Sequence, residues 1–441
     1  MQATRQETTM KRDQARTFFL DLFRHAVDAV LPERCLPAFL QHIPAARGRT
    51  LVIGAGKASA AMAQALEAHW PHPIDGGLVV TRHGQGLPCR HIEIMEAAHP
   101  VPDTASETAA RRILQLVAAL SEQDQVICLM SGGGSSLLAC PADGLTLADK
   151  QQINRALLAS GATIAEINCV RKHLSGIKGG RLALACAPAT VHNLFISDIP
   201  GDDATLIASG PTLPDASTLA DARAVLTKYA ITVAPHIHAH LTNPANETAK
   251  PDDARFARQA SNTQHTIASA RHMLEAAAAF ARLHGINAHI LSDAIEGEAR
   301  EIGKMHAAIA SHIAHHNQPF TRPCLLLSGG ETSVTVRGKG KGGRNTEFLL
   351  SMALALQGLP GVHAMAVDTD GIDGSEDNAG ATLHPDSLLR ATQAGLNLPH
   401  NLPAALLQQN NSHAFFAAIE DVIISGPLAT NVNDLRAVLI S

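Results

Sequence analysis

The stretch Thr50-Leu-Val-Ile-Gly-Ala-Gly-Lys-Ala-Ser59 sets a short apolar run directly before two glycines, a lysine and a string of small residues. Such a run reads as a strand, a tight turn and the first turn of a helix, and strands this uniformly apolar belong to a parallel sheet covered on both faces. The pattern returns. From residue 50 onward the sequence predicts strands at 50–54, 77–81, 91–96, 125–130 and 191–196, with helices at 58–69, 104–120 and between about 146 and 186. That alternation predicts an α/β fold, in which ligands bind beyond the carboxyl ends of the strands.

Residues 13–43 read as two amphipathic helices, with Phe18, Phe19, Leu22, Phe23, Val27 and Val30 at helical spacing, expected to dock onto the domain that follows. Between about Thr232 and Asp253 a segment rich in Pro, His and Asn breaks the periodicity. It divides the chain into residues 1–245, a larger Rossmann-like domain, and residues 246–441, a second α/β unit. In the latter the sequence predicts a helix at 264–284, a strand at 288–291, a helix at 298–315, strands at 324–328 and 332–337, a helix at 346–357 and a strand at 362–367. Strands near 421–425 and 435–440 close it.

The 441 residues are 46% apolar and 17% charged with a net charge of −5, which offers no basic footprint for nucleic acid. One Tyr and one Trp supply no stacking platform for bases. The seven cysteines are scattered without a Cys-x-x-Cys spacing, which argues against a zinc site or a disulfide framework and for a reducing cytoplasm. Met1–Arg16 is polar and no run reaches membrane-spanning length, so neither a secretory leader nor a membrane partner is expected.

Chemistry concentrates at glycine turns. Gly54-x-Gly56 is part of a dinucleotide fingerprint, but its third glycine position is Ser59 and the next strand ends at Val79-Val-Thr-Arg82 without the acid that would hold a ribose. Arg82 could take a 2′-phosphate instead, so a nicotinamide cofactor stays open beside phosphate or carboxylate binding. Ser131-Gly-Gly-Gly-Ser-Ser136 follows an apolar strand and leaves bare backbone flanked by hydroxyls, a nest for an anion. In Asn168-Cys-Val-Arg-Lys-His-Leu-Ser-Gly-Ile-Lys-Gly-Gly-Arg181, Arg171 and Lys178 would share a helix face at a spacing of seven, while Lys172 points elsewhere, with mere solvation and a functional role equally open for it.

Asp198 and Asp202, then Asp368 and Asp370, follow apolar strands in the two halves, as hard oxygen ligands for magnesium would. Gly338-Lys-Gly-Lys-Gly-Gly-Arg-Asn345 lacks the spacing of a Walker A loop, yet it sets Arg344 at a helix start beside bare backbone donors. Anion cradles, cations and acidic strand ends without a nucleophile–base pair suit phosphoryl transfer, which needs positioning and charge neutralisation.

As an ordered set, Gly-Ala-Gly-Lys-Ala-Ser, Ser-Gly-Gly-Gly-Ser-Ser, Val-Arg-Lys-His-Leu-Ser, Ser-Asp-Ile-Pro-Gly-Asp-Asp, Ser-Gly-Pro-Thr and Gly-Gly-Arg-Asn resemble the glycerate 2-kinase family, from about residue 17 to the end. The family carries a so-called MOFRL segment, here about 323–440, and some members are labelled hydroxypyruvate reductases of tartrate degradation. The resemblance implies two α/β domains with the active site in a cleft between them. It also implies transfer of the ATP γ-phosphoryl to the 2-hydroxyl of D-glycerate, with Mg2+. Lys57 and Arg344 would stabilise the moving phosphoryl, and Asp198, with Asp202, Asp368 and Asp370, would serve the metal.

Around substrate and phosphates the expected residues are Gly54, Gly56, Ser131, Gly132, Gly133, Gly134, Ser135, Ser136, Arg171, Lys178, Glu331 and Asn345. D-glycerate and the nucleotide are the expected partners, with a homodimer allowed. Two positions depart from the family pattern: Thr346 stands where Gln is expected, and Leu428-Ala429 where Thr-Gly is usual. An NAD(P)H-dependent hydroxypyruvate reductase and a non-enzymatic anion sensor are the alternatives.

Overall fold

The computed structural model describes residues 10–257, 262–400 and 402–441, so the reading of Met1–Thr9 lies outside the described residues. The chain divides into two compact units, Pro32–Ile267 and Met1–Leu31 with Ala268–Ser441.

In the first unit β1 (Thr50–Ala55), β2 (Gly76–Arg82), β3 (Glu93–Ala97), β4 (Gln125–Met130), β5 (Thr190–Ile196) and β6 (Thr263–Ala268) form one sheet in the order β3-β2-β1-β4-β5-β6. Strands β1 to β5 pair in parallel. Every residue of β1 and β4 is buried, the consequence of helices on both faces. The chain leaves β1 toward β2 and β3 on one side and returns to β4 on the other, so the order reverses between β1 and β4. That switch point opens a crevice at the strand ends. The helix Thr104–Val117, capped by the Asp103 carboxylate on the Ser106 amide at 2.9 Å, buries Ala109, Ala110, Ile113 and Val117 against the sheet.

In the second unit β7 (Asn287–Ser292), β8 (Gly297–Glu298), β9 (Cys324–Ser328), β10 (Thr332–Ser333), β11 (Val362–Asp368), β12 (Gly380–Leu383), β13 (Val422–Ile423) and β14 (Asp434–Ile440) are the strands. Six of them form a mixed sheet in the order β13-β12-β11-β14-β9-β7, and β8 and β10 pair separately. Only β7 and β9 run parallel in that sheet; the other pairs are antiparallel. Helices Ala299–His316 and Arg344–Leu356 cover it, and they approach so closely that a Cβ on Gly303 would lie 2.4 Å from the Phe348 carbonyl oxygen.

Three expectations change. Residues 263–268 are not the start of a helix but the last strand of the first sheet, and the helix begins at Ala270. The short alternation Thr-Gln-His-Thr-Ile-Ala suits a strand as well as a helix start, and sheet pairing decides it. The first compact unit runs to Ile267. The helix Arg12–Asp28 joins the second unit rather than the domain that follows it: Phe18 meets Phe280 at 5.8 Å between ring centroids, and Arg16 reaches Asp421 at 3.3 Å. The expected second helix is two single turns, Pro32–Cys35 and Pro37–Leu40, broken by their prolines, which belong to the first unit.

Candidate functional site

The turn after β1 and the turn after β4 face each other at the switch point and are sewn together. The Lys57 amide donates to the Gly132 carbonyl at 2.8 Å, and the Ala58 amide to Ser131 Oγ at 3.0 Å. Ser59 donates to the Leu129 carbonyl at 3.0 Å, and the Gly56 amide to that of Val80 at 3.0 Å. Gly56 is needed for this seam, because at φ +150° a Cβ there would sit 2.0 Å from Ser131 Oγ. The expectation that the first glycine turn offers its own amides to an anion is thus overturned: those of residues 56, 57 and 58 are all taken by protein acceptors.

The second turn keeps its donors. Among the described residues, the amides of Gly132, Gly133 and Ser135 have no protein acceptor, and Gly133 takes φ +81° between the side chains of Lys57 and His99. Lys57, the expected catalytic cation, therefore lies against this loop. His99 was not anticipated, since a lone histidine before a proline carries no sequence signal. Ser135 Oγ lies 2.7 Å from Ser209 Oγ, and Ser209 donates to Asn168 Oδ1 at 2.8 Å. Ala208 and Ser209 adopt φ values of 52° and 62°, strain that this network holds in place.

Behind Ser135 and Ser136 lies a cavity of about 30 Å³ into which Lys150, Asn154, Arg171 and Lys178 project. Arg171 and Lys178 share this cavity, but not through helical spacing. The helix Ile164–His173 ends before Lys178, and the chain folds back through Ser175 to bring the lysine round. Arg171 Nε donates to Asn154 Oδ1 at 2.8 Å, Lys150 Nζ to the Leu174 carbonyl at 3.0 Å, and Lys178 Nζ to the Ala208 carbonyl at 3.1 Å. Burial, with neighbouring cations adding to it, lowers Lys150 to about 7 and Lys178 well below the ordinary lysine range. Of the two readings open for Lys172, mere solvation does not hold: it is buried and paired with Asp215 at 3.0 Å.

In the second unit Arg344 opens the helix Arg344–Leu356, with its side chain one-fifth exposed. Its guanidinium meets three carboxylates: Nε to Asp434 at 2.8 Å, Nη1 to Glu331 at 2.6 Å and Nη2 to Asp368 at 2.8 Å. Burial would lower its pKa, but the three acids outweigh it and hold the group well above the usual arginine value. Asp434 is shared with the fully buried Arg436.

The glycine run before Arg344 is not the open anion cradle expected. Asn410 Oδ1 accepts the amides of Arg337 and Gly338 at 2.7 and 2.9 Å, and Asn411 Oδ1 accepts that of Lys341 at 3.0 Å. At the helix start the amides of Asn345 and Thr346 both go, at 2.9 Å, to Asp373, a fully buried carboxylate of this chain. The protein supplies its own anion to that helix dipole. Asn345, expected at the substrate, is fully buried, with Nδ2 on Asp434 at 2.8 Å. Thr346 is also interior, taking the Gly343 amide at 3.0 Å and donating to Asp373 at 2.9 Å, so the departure from Gln serves the helix cap.

Asp368 and Asp370 are buried: Asp368 Oδ1 accepts the Asp370 amide at 2.9 Å, and Asp370 Oδ1 that of Ile372 at 3.0 Å. The loop at 426–433 clasps this turn through the Leu428 amide, which donates to the Asp370 carbonyl at 2.8 Å. Asp198 follows β5, two strands from β1 in the sheet order, and Asp202 sits in the next turn at φ 56°. Among the described residues no group of three or more His, Cys, Asp or Glu is arranged to hold a metal, and no helix is long and apolar enough to cross a membrane.

A doubly wound unit with a glycine turn of unpartnered amides at its switch point, followed by a mixed-sheet unit with an arginine gripped by acids, defines a two-unit α/β protein. Residues 18–242 match the family model described as a domain of unknown function, DUF4147, and residues 324–434 match the MOFRL family. The chain belongs to the MOFRL/DUF4147 glycerate kinase family. It is 49% identical to an Agrobacterium vitis protein named "Putative hydroxypyruvate reductase", over 97% of this chain and 94% of that one. It is 38% identical to the D-glycerate 2-kinase of Thermotoga maritima, over 94% and 96%. The crystal structure of a glycerate kinase from Thermotoga maritima superposes with a TM-score of 0.87 at 37% identity, covering 97% of this chain and all of that one.

Proposed function

We propose that this protein is an ATP-dependent glycerate 2-kinase that transfers the γ-phosphoryl to the 2-hydroxyl of D-glycerate, giving 2-phosphoglycerate. The observation that carries the reading is the loop Ser131–Ser136, with unpaired amides at the switch point, Lys57 against it and a cation-lined cavity behind it. Phosphoryl transfer asks a protein for positioning and fixed positive charge more than for covalent chemistry. Lys57 and Arg344 act on the transferring phosphoryl. The 131–136 loop, Arg171 and Lys178 receive the anionic groups, with Gly54 and Gly56 shaping the turn that holds Lys57 and Glu331 steadying Arg344.

Mg2+ bound with the nucleotide would supply charge neutralisation at its phosphates. Hard carboxylate oxygens at strand ends fit that ion, and Asp198, Asp202, Asp368 and Asp370 are the ones proposed for it. Asp368 is the least suited, since its oxygens serve Arg344 and the Asp370 amide. All seven cysteines are free thiols, in keeping with a cytoplasmic setting.

The name carried by relatives at 49% and 50% identity favours a second reading, an NAD(P)H-dependent hydroxypyruvate reductase. Against it stands the turn at residues 54–59, whose amides at 56–58 are spent on the protein itself and leave no pyrophosphate cradle there. The test is purified protein with D-glycerate, ATP and Mg2+ assayed for 2-phosphoglycerate, beside NAD(P)H oxidation with hydroxypyruvate. Turnover in the first is expected; turnover confined to the second overturns the kinase.

A further inference from the structure

Three cationic side chains, Lys150, Arg171 and Lys178, converge on one cavity, and among the described residues none of them pairs with a carboxylate. Lys150 and Lys178 are 8% and 1% exposed, and each has a single backbone carbonyl for company. Elsewhere in this unit a buried lysine is paired: Lys172 has Asp215. Burying positive charges together without a counterion is unfavourable, and such a cluster marks a place where an anion completes the set.

The space has a definite size. About 30 Å³ accommodates roughly two water-sized centres, room enough for the two oxygens of one carboxylate. The rest of the wall is mostly aliphatic. Ser135 lines the mouth and belongs to the loop that Lys57 packs against, so a ligand anchored in the cavity would present its adjoining atoms toward that loop.

We propose that the Lys150–Arg171–Lys178 cavity is the carboxylate pocket of the acid substrate, with Lys150 a specificity-determining contact, and that the free amides of Gly132, Gly133 and Ser135 are left for phosphoryl oxygens. The proposal rests on the kinase reading and names how that site selects a short 2-hydroxy acid. The depressed lysine pKa values support it, since an entering carboxylate would restore their protons.

The test is calorimetric titration of D-glycerate, with and without a non-hydrolysable ATP analogue, into the full-length protein and its Lys150→Met and Arg171→Gln variants, with steady-state kinetics alongside. Glycerol, which lacks the carboxylate, is the control ligand. We expect each variant to weaken D-glycerate binding at least about tenfold and to raise KM far more than it lowers kcat, with glycerol bound by none. Lys150→Met removes a charge from a crowded cationic site, so its thermal midpoint should equal or exceed that of the wild type; a purely structural lysine would lower it. Wild-type affinity and KM in both variants, or no D-glycerate binding by the wild type, overturns the pocket. If the wild type binds D-glycerate through Lys150 but transfers no phosphoryl, the pocket stands and the kinase reading fails.

Discussion

Asp434 stands between two arginines: one oxygen accepts Arg344 Nε at 2.8 Å and the other goes to the buried Arg436. Arg344 is therefore a structural tie as well as a cation available to a phosphoryl group. Arg344→Ala leaves Asp368 and Asp434 facing each other without it, and should lower stability by about 3 kcal/mol in urea titrations. At a temperature where the variant remains folded, turnover should also fall at least about 10²-fold. Loss of stability with normal turnover would make the arginine a tie alone.

Lys57 reaches its position through backbone bonds that its side chain does not make. Lys57→Met should keep the seam between the two turns, leave the unfolding midpoint within a few degrees of the wild type, and lower kcat at least about 10²-fold. Phosphoryl-transfer assays and differential scanning calorimetry on the same preparation read both quantities.

Asp373 fills the start of the helix that carries Arg344. Asp373→Ala strips the acceptor from the amides of Asn345 and Thr346 inside the protein, and should destabilise by about 2–4 kcal/mol. Because that helix aims Arg344, kcat should fall with it. Asp373→Asn keeps one acceptor oxygen and should recover part of both losses.

The apolar strand runs made the first sheet legible, and the glycine turns located its switch point, since a run ending in small residues has few other uses. What they could not disclose was which amides stay free. Gly56 and Gly338 look alike as sequence, yet one lets Ser131 approach and the other lies against the Gln409 carbonyl, a distinction made by segments distant in the chain. Lys150 escaped notice for a similar reason: it sits in an ordinary-looking helix, Leu147–Ala159, and its meaning comes from Arg171 and Lys178 across the cavity. Residues 263–268 suit a helix start and a strand equally, because six residues do not separate the two periodicities.

The cationic cavity also predicts a pH dependence. Around Lys150 stand Arg171, Arg181 and Lys178 and the thiol Cys140, so the lysine titrates near 7 in the folded chain against 10.5 ordinarily. Between those values the unfolded chain binds more protons, so stability rises with pH from about 7 to about 10.5. Lys150→Met removes that lysine's part of the slope and leaves the part due to Lys178. Relative to the wild type it should gain up to about 4 kcal/mol at and below pH 7, and converge with it near pH 10.5, in urea titrations across the range.

The pairing of the helix Arg12–Asp28 with the helix Ala270–Leu283 sets an order on biosynthesis. The first of these leaves the ribosome well before the second, which follows only after the whole Pro32–Ile267 unit has been made. At about 5–20 residues per second the wait is roughly ten to fifty seconds. Throughout it Phe18, Phe19, Leu22 and Phe23 have no partner helix to cover them, so a nascent chain stalled near residue 267 should be the species most in need of a chaperone.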